Sequence, residues 1–233
     1  MKDYEKTALQ SQRNDGGNNY SAPGDESIWE KPGEIIQELI RRNVMPGDIV
    51  VDGASGDGRY TETLAEAVGE NGHIINIDLD QSGLDRLSRR FEEKYGDRIE
   101  NIQADLTKPF PPYLANNSVD KFLCIGFAHL PKKEVVKDIF FPEVMRILKP
   151  DGSFFGNFLV NIVRTDLSTG HILPTKDFAE QDYTEEEGIT FLMECFSEQG
   201  LEAQVYRNLS IDYESTKPPY HLSGASIVYE VKK

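Results

Sequence analysis

Three β-branched residues in a row, Ile49, Val50 and Val51, run into Asp52 and a loop holding Gly53, Gly56 and Gly58. A helical pattern follows over residues 60–68 and stops at Gly69. A short, unbroken apolar run bounded by turns is consistent with a strand buried on both faces, as in parallel sheets. Glycines between strand and helix let the backbone approach a ligand without a Cβ in the way. This strand–turn–helix unit constrains the chain to an α/β fold with a ligand loop at the carboxyl end of one strand.

The same alternation continues on both sides of the loop. Pro32 sits in a first helical turn, and Ile35, Ile36, Leu39 and Ile40 form an apolar stripe at helical spacing. Residues 71–80 (NGHIINIDLD) read as a turn and a second strand, followed by a helix marked by Leu84, Leu87, Phe91 and Tyr95. Residues 98–106 and 119–127 read as the third and fourth strands. Val135, Ile139, Val144 and Leu148 belong to a helix that Pro142 kinks or splits. A fifth strand covers 153–160. Thr184 and Glu187 then form a capping-box pattern opening a helix that Gly200 closes. Two last strands, about 202–211 and 222–231, have no helix between them and pair as a hairpin. The expected fold is doubly wound α/β: a seven-stranded, mostly parallel sheet with a C-terminal antiparallel hairpin, in one domain over residues 28–233. Residues 1–27 are polar and include NDGGNN at 14–19, which predicts a flexible N-terminal segment. It would serve as a lid, with Tyr20 and Trp29 as its closing surface or as packing at the domain edge.

Composition narrows the function classes. Forty acidic against 25 basic residues give a formal charge of −15 in 233 residues. That balance repels phosphate backbones and disfavours nucleic acid as a partner. The basic clusters Arg41–Arg42, Arg86 with Arg89–Arg90, and Lys132–Lys133 read as solvated helix faces. Two cysteines, Cys124 and Cys195, form neither a disulfide framework nor a metal-ligand spacing, so no metal is expected. No apolar stretch reaches the length of a membrane span, and the start carries no apolar leader. The sequence therefore reads as a cytoplasmic protein with no membrane partner.

Ligands of open α/β sheets sit beyond the carboxyl ends of the strands. The strand exits here are 52–58, 78–80, 105–106, 126–129 and 157–161, and three of the five carry an aspartate. An acid at the second exit can accept ribose hydroxyls, and Asp78 lies 22 residues after Gly56, close to the spacing such a contact needs. An acid at the third exit, Asp105, can accept an amino hydrogen of adenine.

On VVDGASGDG (50–58), IINIDLD (74–80), IQADL (102–106), VDKFLCIGFAHLP (119–131) and VMRILKPDGSFFGNF (144–158), the chain resembles the class I S-adenosylmethionine-dependent methyltransferase family over about 32–233. The resemblance implies S-adenosylmethionine as cofactor. It implies contacts from Asp52, Gly53, Ala54, Gly56 and Gly58, a ribose ligand in Asp78 and an adenine contact in Asp105. Leu79 and Leu106 would flank the ring, and Gly126 would lie near the methionine portion. Ala54 departs from the family pattern, which has glycine there. His129, just past the fourth strand, is the candidate base for a hydroxyl or ammonium acceptor, its alternative being a residue that lines the pocket or caps the next helix. His171 and His221 are lesser candidates. GFAHLP stands where amide and base methyltransferases carry Asn/Asp-Pro-Pro-Tyr, and with no basic extension or added nucleic-acid domain the expected acceptor is a small molecule, followed by a protein. A cofactor-binding protein without turnover stays open. So does a NAD(P)-dependent short-chain oxidoreductase, to which Tyr213 and Lys217 supply a Tyr-x-x-x-Lys. Such a pair acts from one helix face, and Pro218 and Pro219 oppose a helix there. Residues 161–183 would build a substrate wall together with the N-terminal segment.

Overall fold

The computed structural model describes residues 30–174, 181–216 and 219–233. The N-terminal segment and Lys217 of the Tyr-x-x-x-Lys pair lie outside them. Helix α1 (Glu30–Asn43) leads to β1 (Ile49–Gly53), α2 (Thr61–Val68), β2 (His73–Asp78), α3 (Gln81–Tyr95), β3 (Ile99–Gln103) and β4 (Val119–Cys124). A helical run of three parts follows: α4 (Lys133–Val135), a π-turn (Val136–Phe140) and α5 (Phe141–Ile147). The chain ends with β5 (Leu148–Asp166), β6 (Ile172–Leu173), α6 (Glu185–Ser197), β7 (Glu202–Thr216) and β8 (Pro219–Lys232).

The sheet order is β3-β2-β1-β4-β5-β8-β7, with β6 beside β5. β1 to β5 are parallel, and β5–β8, β7–β8 and β5–β6 are antiparallel. One layer of side chains from α1, α2 and α3 packs on Val50, Ile74, Leu123, Phe155 and Val228. The other face, under α5 and α6, buries Val51, Phe122, Phe154, Phe158 and Tyr229. Burial on both faces explains why the parallel strands read as apolar runs without alternation.

Several expectations hold locally. Thr184 Oγ1 accepts the Glu187 N–H while the Glu187 carboxylate accepts from Thr184, closing the capping box of α6. Pro142 does split its helix: without an N–H it cannot bond to the carbonyl four residues back, and the turn before it widens until the Phe141 N–H reaches the Val136 carbonyl.

The C-terminal half differs from the sequence reading. Among the described residues the sheet has eight strands, and β5, β7 and β8 run for 19, 15 and 14 residues. Cys124, the last residue of β4, pairs with Gly156, and β5 goes on for ten more residues to Asp166. At about 3.3 Å per residue that is roughly 30 Å of strand beyond the β4 exit. β5, β7 and β8 thus form an arm past the parallel sheet, with its own small core of Leu159, Ile162, Ile211, Tyr220 and Leu222. Tyr213 lies in strand β7 and not on a helix, so the dehydrogenase arrangement is absent.

Arg42 is exposed, as read from the sequence, and it also makes an ion pair across the fold. Its guanidinium bonds to Glu230 on β8, a buried carboxylate, and to the Tyr206 hydroxyl. That pair ties α1 to the antiparallel side of the sheet.

Candidate functional site

β3, β2, β1 and β4 are neighbours and parallel, so their carboxyl ends share one edge. This brings together Asp52 to Gly58, Asp78 and Leu79, Asp105 and Leu106, and Gly126.

The glycine loop takes its shape from backbone geometry at alternate residues. Ala54, Gly56 and Gly58 have φ of 56°, 60° and 85°. All three occupy the left-handed region, which glycine enters freely and alanine enters at about 1–2 kcal/mol. The methyl of Ala54 therefore burdens the fold of the loop itself. Gly53 is needed for a different reason: a Cβ there would lie 2.9 Å from the Phe122 ring and 3.3 Å from Leu106. The Ser55 N–H donates to the Ile77 carbonyl and the Gly58 N–H to the Ser55 carbonyl.

Asp78 is the clasp between loop and sheet. Its Oδ2 accepts the Gly56 N–H at 2.8 Å and its Oδ1 the Asp80 N–H at 2.8 Å. Asp80 in turn caps α3 through the Ser82 and Gly83 N–H groups. Leu79 is 63% exposed at the strand exit, while Leu106 is buried in the core. The Gln103 side chain donates to the Leu79 carbonyl, joining the second and third exits. Asp105 is half-buried and accepts the Thr107 N–H and hydroxyl. Gly126 has φ of 75°, with open space where a Cβ would be, and its N–H donates to Asn157 Oδ1 at 2.7 Å. Asn157 is fully buried and donates onward to Ser226. The sequence reading named residue 157 only as part of a strand exit. Its grip on Gly126 spans 31 residues and has no local signature.

Three buried oxygens at this edge, Asp52 Oδ2, Ser55 Oγ and Asp57 Oδ2, accept or donate no hydrogen bond. Burial, reinforced by the charge of Asp78, pushes the Asp52 carboxyl up to about 8. Burial also raises Asp57, against the pull of Arg86 and Arg90. Arg86, Arg89 and Arg90 line an open cleft with Asp57, so part of this arginine face looks onto the loop.

His129 is fully buried. Its ring meets Phe158 edge-on at 6.2 Å, and its carbonyl accepts the Gln181 N–H. Phe158, Tyr183 and Phe191 pack together in an aromatic cluster of the core, with Phe158 and Tyr183 centroids 4.9 Å apart. Lys132 holds the cap position of the next helix, so His129 does not cap it. His221 pairs with Asp212 at 2.8 Å across the arm, opposite Thr165. That register lies roughly 25–30 Å of strand past the β4 exit, away from the Gly126 corner. Among the described residues no group of three or more His, Cys, Asp or Glu side chains could hold a metal ion. None of their helices is long and apolar enough to cross a membrane.

The donor set suits S-adenosylmethionine. Asp52 and Asp78 are buried carboxyls at the loop, the exposed Leu79 directly follows Asp78, and open space adjoins Gly126. Comparison with known proteins agrees at the level of class. Residues 50–152 match the model of a methyltransferase domain. A SAM-dependent methyltransferase from Methanosarcina mazei superposes with a TM-score of 0.59 at 16% identity, over 84% of this chain and 96% of that one. That likeness shows the fold. A ubiquinone/menaquinone biosynthesis C-methyltransferase UbiE of Ectopseudomonas oleovorans is 31% identical over 140 residues, 58% of this chain and 74% of that protein. The chain belongs to the class I S-adenosylmethionine-dependent methyltransferase family. A demethylmenaquinone methyltransferase of Lactobacillus johnsonii is 28% identical over 161 residues, 67% of this chain. The chain spans 57% of that relative's length and 50% of a UbiE of Teredinibacter turnerae.

Proposed function

We propose that this chain transfers a methyl group from S-adenosylmethionine to a small-molecule acceptor. The observation that carries this reading is the convergence of Asp52, Asp78, Asp105 and Gly126 on one edge of the sheet. Bound there, the cofactor would supply a methyl group activated by a sulfonium. Asp78 would accept the ribose hydroxyls, and Asp105 with Leu79 would hold the adenine, Leu106 supporting it from below. The glycine loop and Asp52 would take the methionine end, with Gly126 kept in place by Asn157. Holding acceptor and methyl in near-attack geometry can supply on the order of 7–11 kcal/mol, so a dedicated base is not required. The burial of His129 under Gln181 and Phe158 favours a wall over a base.

Two matched relatives are named for quinone methylation, and the partly buried rings of Phe127, next to Gly126, and Tyr183 lie against the aromatic core. Together they support an acceptor with a conjugated ring. Both cysteines are free and buried, in keeping with a cytoplasmic setting, and residues 28–233 read as one domain. Titration calorimetry with S-adenosylmethionine tests the assignment. The wild-type chain is expected to bind, and Asp78→Ala to bind at least about 10-fold more weakly, the loss of hydrogen bonds to a charged group. Equal binding by both proteins overturns the ribose assignment. Labelled methyl donor offered with a panel of hydroxylated aromatic and quinol compounds then reads turnover. Cofactor binding with no acceptor methylated would favour a binding protein.

A further inference from the structure

Asp52 and Asp78 stand at the ends of adjacent parallel strands, and each is 2% exposed. Their situations differ. Both oxygens of Asp78 accept backbone N–H groups, which stabilise its charge. Asp52 Oδ2 is buried with no hydrogen-bond partner. A second negative charge there is opposed by desolvation first and by Asp78 second, and the carboxyl is raised to about 8.

The groups around Asp52 do not relieve it. Cys124 on β4 is pushed well above its ordinary value by burial and by the two aspartates. Tyr60 at the end of the loop is pushed up to about 12, mainly by burial, with Asp52 adding and Arg59 opposing. Both therefore stay neutral near pH 7 and furnish no counter-charge. On β2 the residue opposite Asp52 is Asn76, also neutral.

We propose that Asp52 reads the positive charge of the incoming cofactor: it is a neutral acid in the empty loop and becomes a carboxylate when a cationic group settles beside it. The O–H bond of the acid breaks, its proton leaves to solvent, and the carboxylate remains paired with the ligand's cation. Capture of the cofactor is thus coupled to release of one proton, and affinity rises with pH until Asp52 is ionised in the free protein. This rests on the methyltransferase reading. The cation is either the sulfonium or the α-ammonium, and S-adenosylhomocysteine carries only the second.

The test is calorimetric titration of S-adenosylmethionine in buffers of different ionisation enthalpy. At pH 7 the wild-type chain should release about 0.9 proton, the fraction of an acid near pH 8 that is still protonated. Affinity should weaken about tenfold per pH unit on going down from pH 7.5. Asp52→Asn, which mimics the neutral acid in size, should bind more weakly and release no proton beyond any from the ligand itself. S-adenosylhomocysteine releasing the same proton assigns the ammonium, and releasing none assigns the sulfonium; either result supports the proposal. Binding by the wild-type chain without proton release, or equal release by the Asn variant, overturns it. Absence of binding by the wild-type chain overturns the cofactor reading and this proposal with it. Should Asp52→Asn not fold, the pH dependence of wild-type affinity decides alone, a flat profile overturning the proposal.

Discussion

The parallel half of the sheet and its antiparallel arm are built from strands of very different length. β1, β2, β3 and β4 have five or six residues each, whereas β5, β7 and β8 have 19, 15 and 14. Parallel neighbours are joined by crossover connections, which must turn back across a face of the sheet and so cut each strand short. Antiparallel neighbours need only a turn and can run on as long as their side chains find partners. The parallel half is covered on both faces. The arm buries Tyr220 and Leu222 on one face and exposes Val163 on β5, with Leu167 and Ile172 beyond it. Chemistry gathers where strands stop, and so it falls in the short half.

Substitutions can break or sharpen this contrast. The largest effect is expected from Leu222→Ala, which empties a fully buried position of the arm's small core. If the arm folds as one unit with the domain, chemical denaturation should show a loss of about 2–4 kcal/mol. If the arm opens by itself, the global transition will stay put and only amide protection in β7 and β8 will fall. Gly53→Ala is expected to cost about 2–3 kcal/mol by overpacking against Phe122, which would confirm a close-packed parallel half.

A third effect is a slope. The carboxyl of Asp52 is raised in the folded protein from 3.8 to about 8. The folded state then holds a proton that the unfolded state has lost across this window. Its contribution to stability is full below the unfolded value and is lost as pH rises toward about 8, by up to about 1.4 kcal/mol per pH unit. Denaturation midpoints of the wild-type chain should fall over that range, and Asp52→Asn should flatten the decline. Ala54→Gly should stabilise the loop by about 0.5–1 kcal/mol as left-handed strain is relieved. The smallest effect is expected at Ile172, 71% exposed, where Ile172→Ser should leave stability within about 0.5 kcal/mol.

The two halves also differ in how much of them is written locally in the chain. The glycine loop, Asp78 and Asp105 are legible because a parallel strand ends in a turn whose residues lie together in sequence. The lengths of β5 and β7 are not. Asn161 and Asn208 adopt left-handed backbone with φ of 52° and 59°, at register shifts in β5–β8 and β7–β8. Such a bulge inserts one residue and changes which side chains face the core, so the unbroken buried run of 153–160 gives way to alternation after residue 160 although the strand continues. Asparagine at both positions is the trace that could have been used, being among the residues that tolerate this region best. The Arg42–Glu230 bond spans 188 residues and leaves no mark in either segment. The raised carboxyl of Asp52 is similarly hidden, since it depends on burial by neighbouring strands and on Asp78.

The π-turn ahead of Pro142 has a consequence for chain length. A turn closed by a bond from Phe141 back to Val136 holds one residue more than an α-helical turn would. The surplus residue advances the angular phase of everything before it, so Val136 and Phe140 reach the core along with Phe141 and Val144. Deleting one residue from this turn would return it to ordinary helix and swing Phe140 off its contacts with Phe122, Phe127 and Phe154. The strands on either side would keep their places. The turn is therefore a point where the chain can gain or lose a single residue by rotating one short helix.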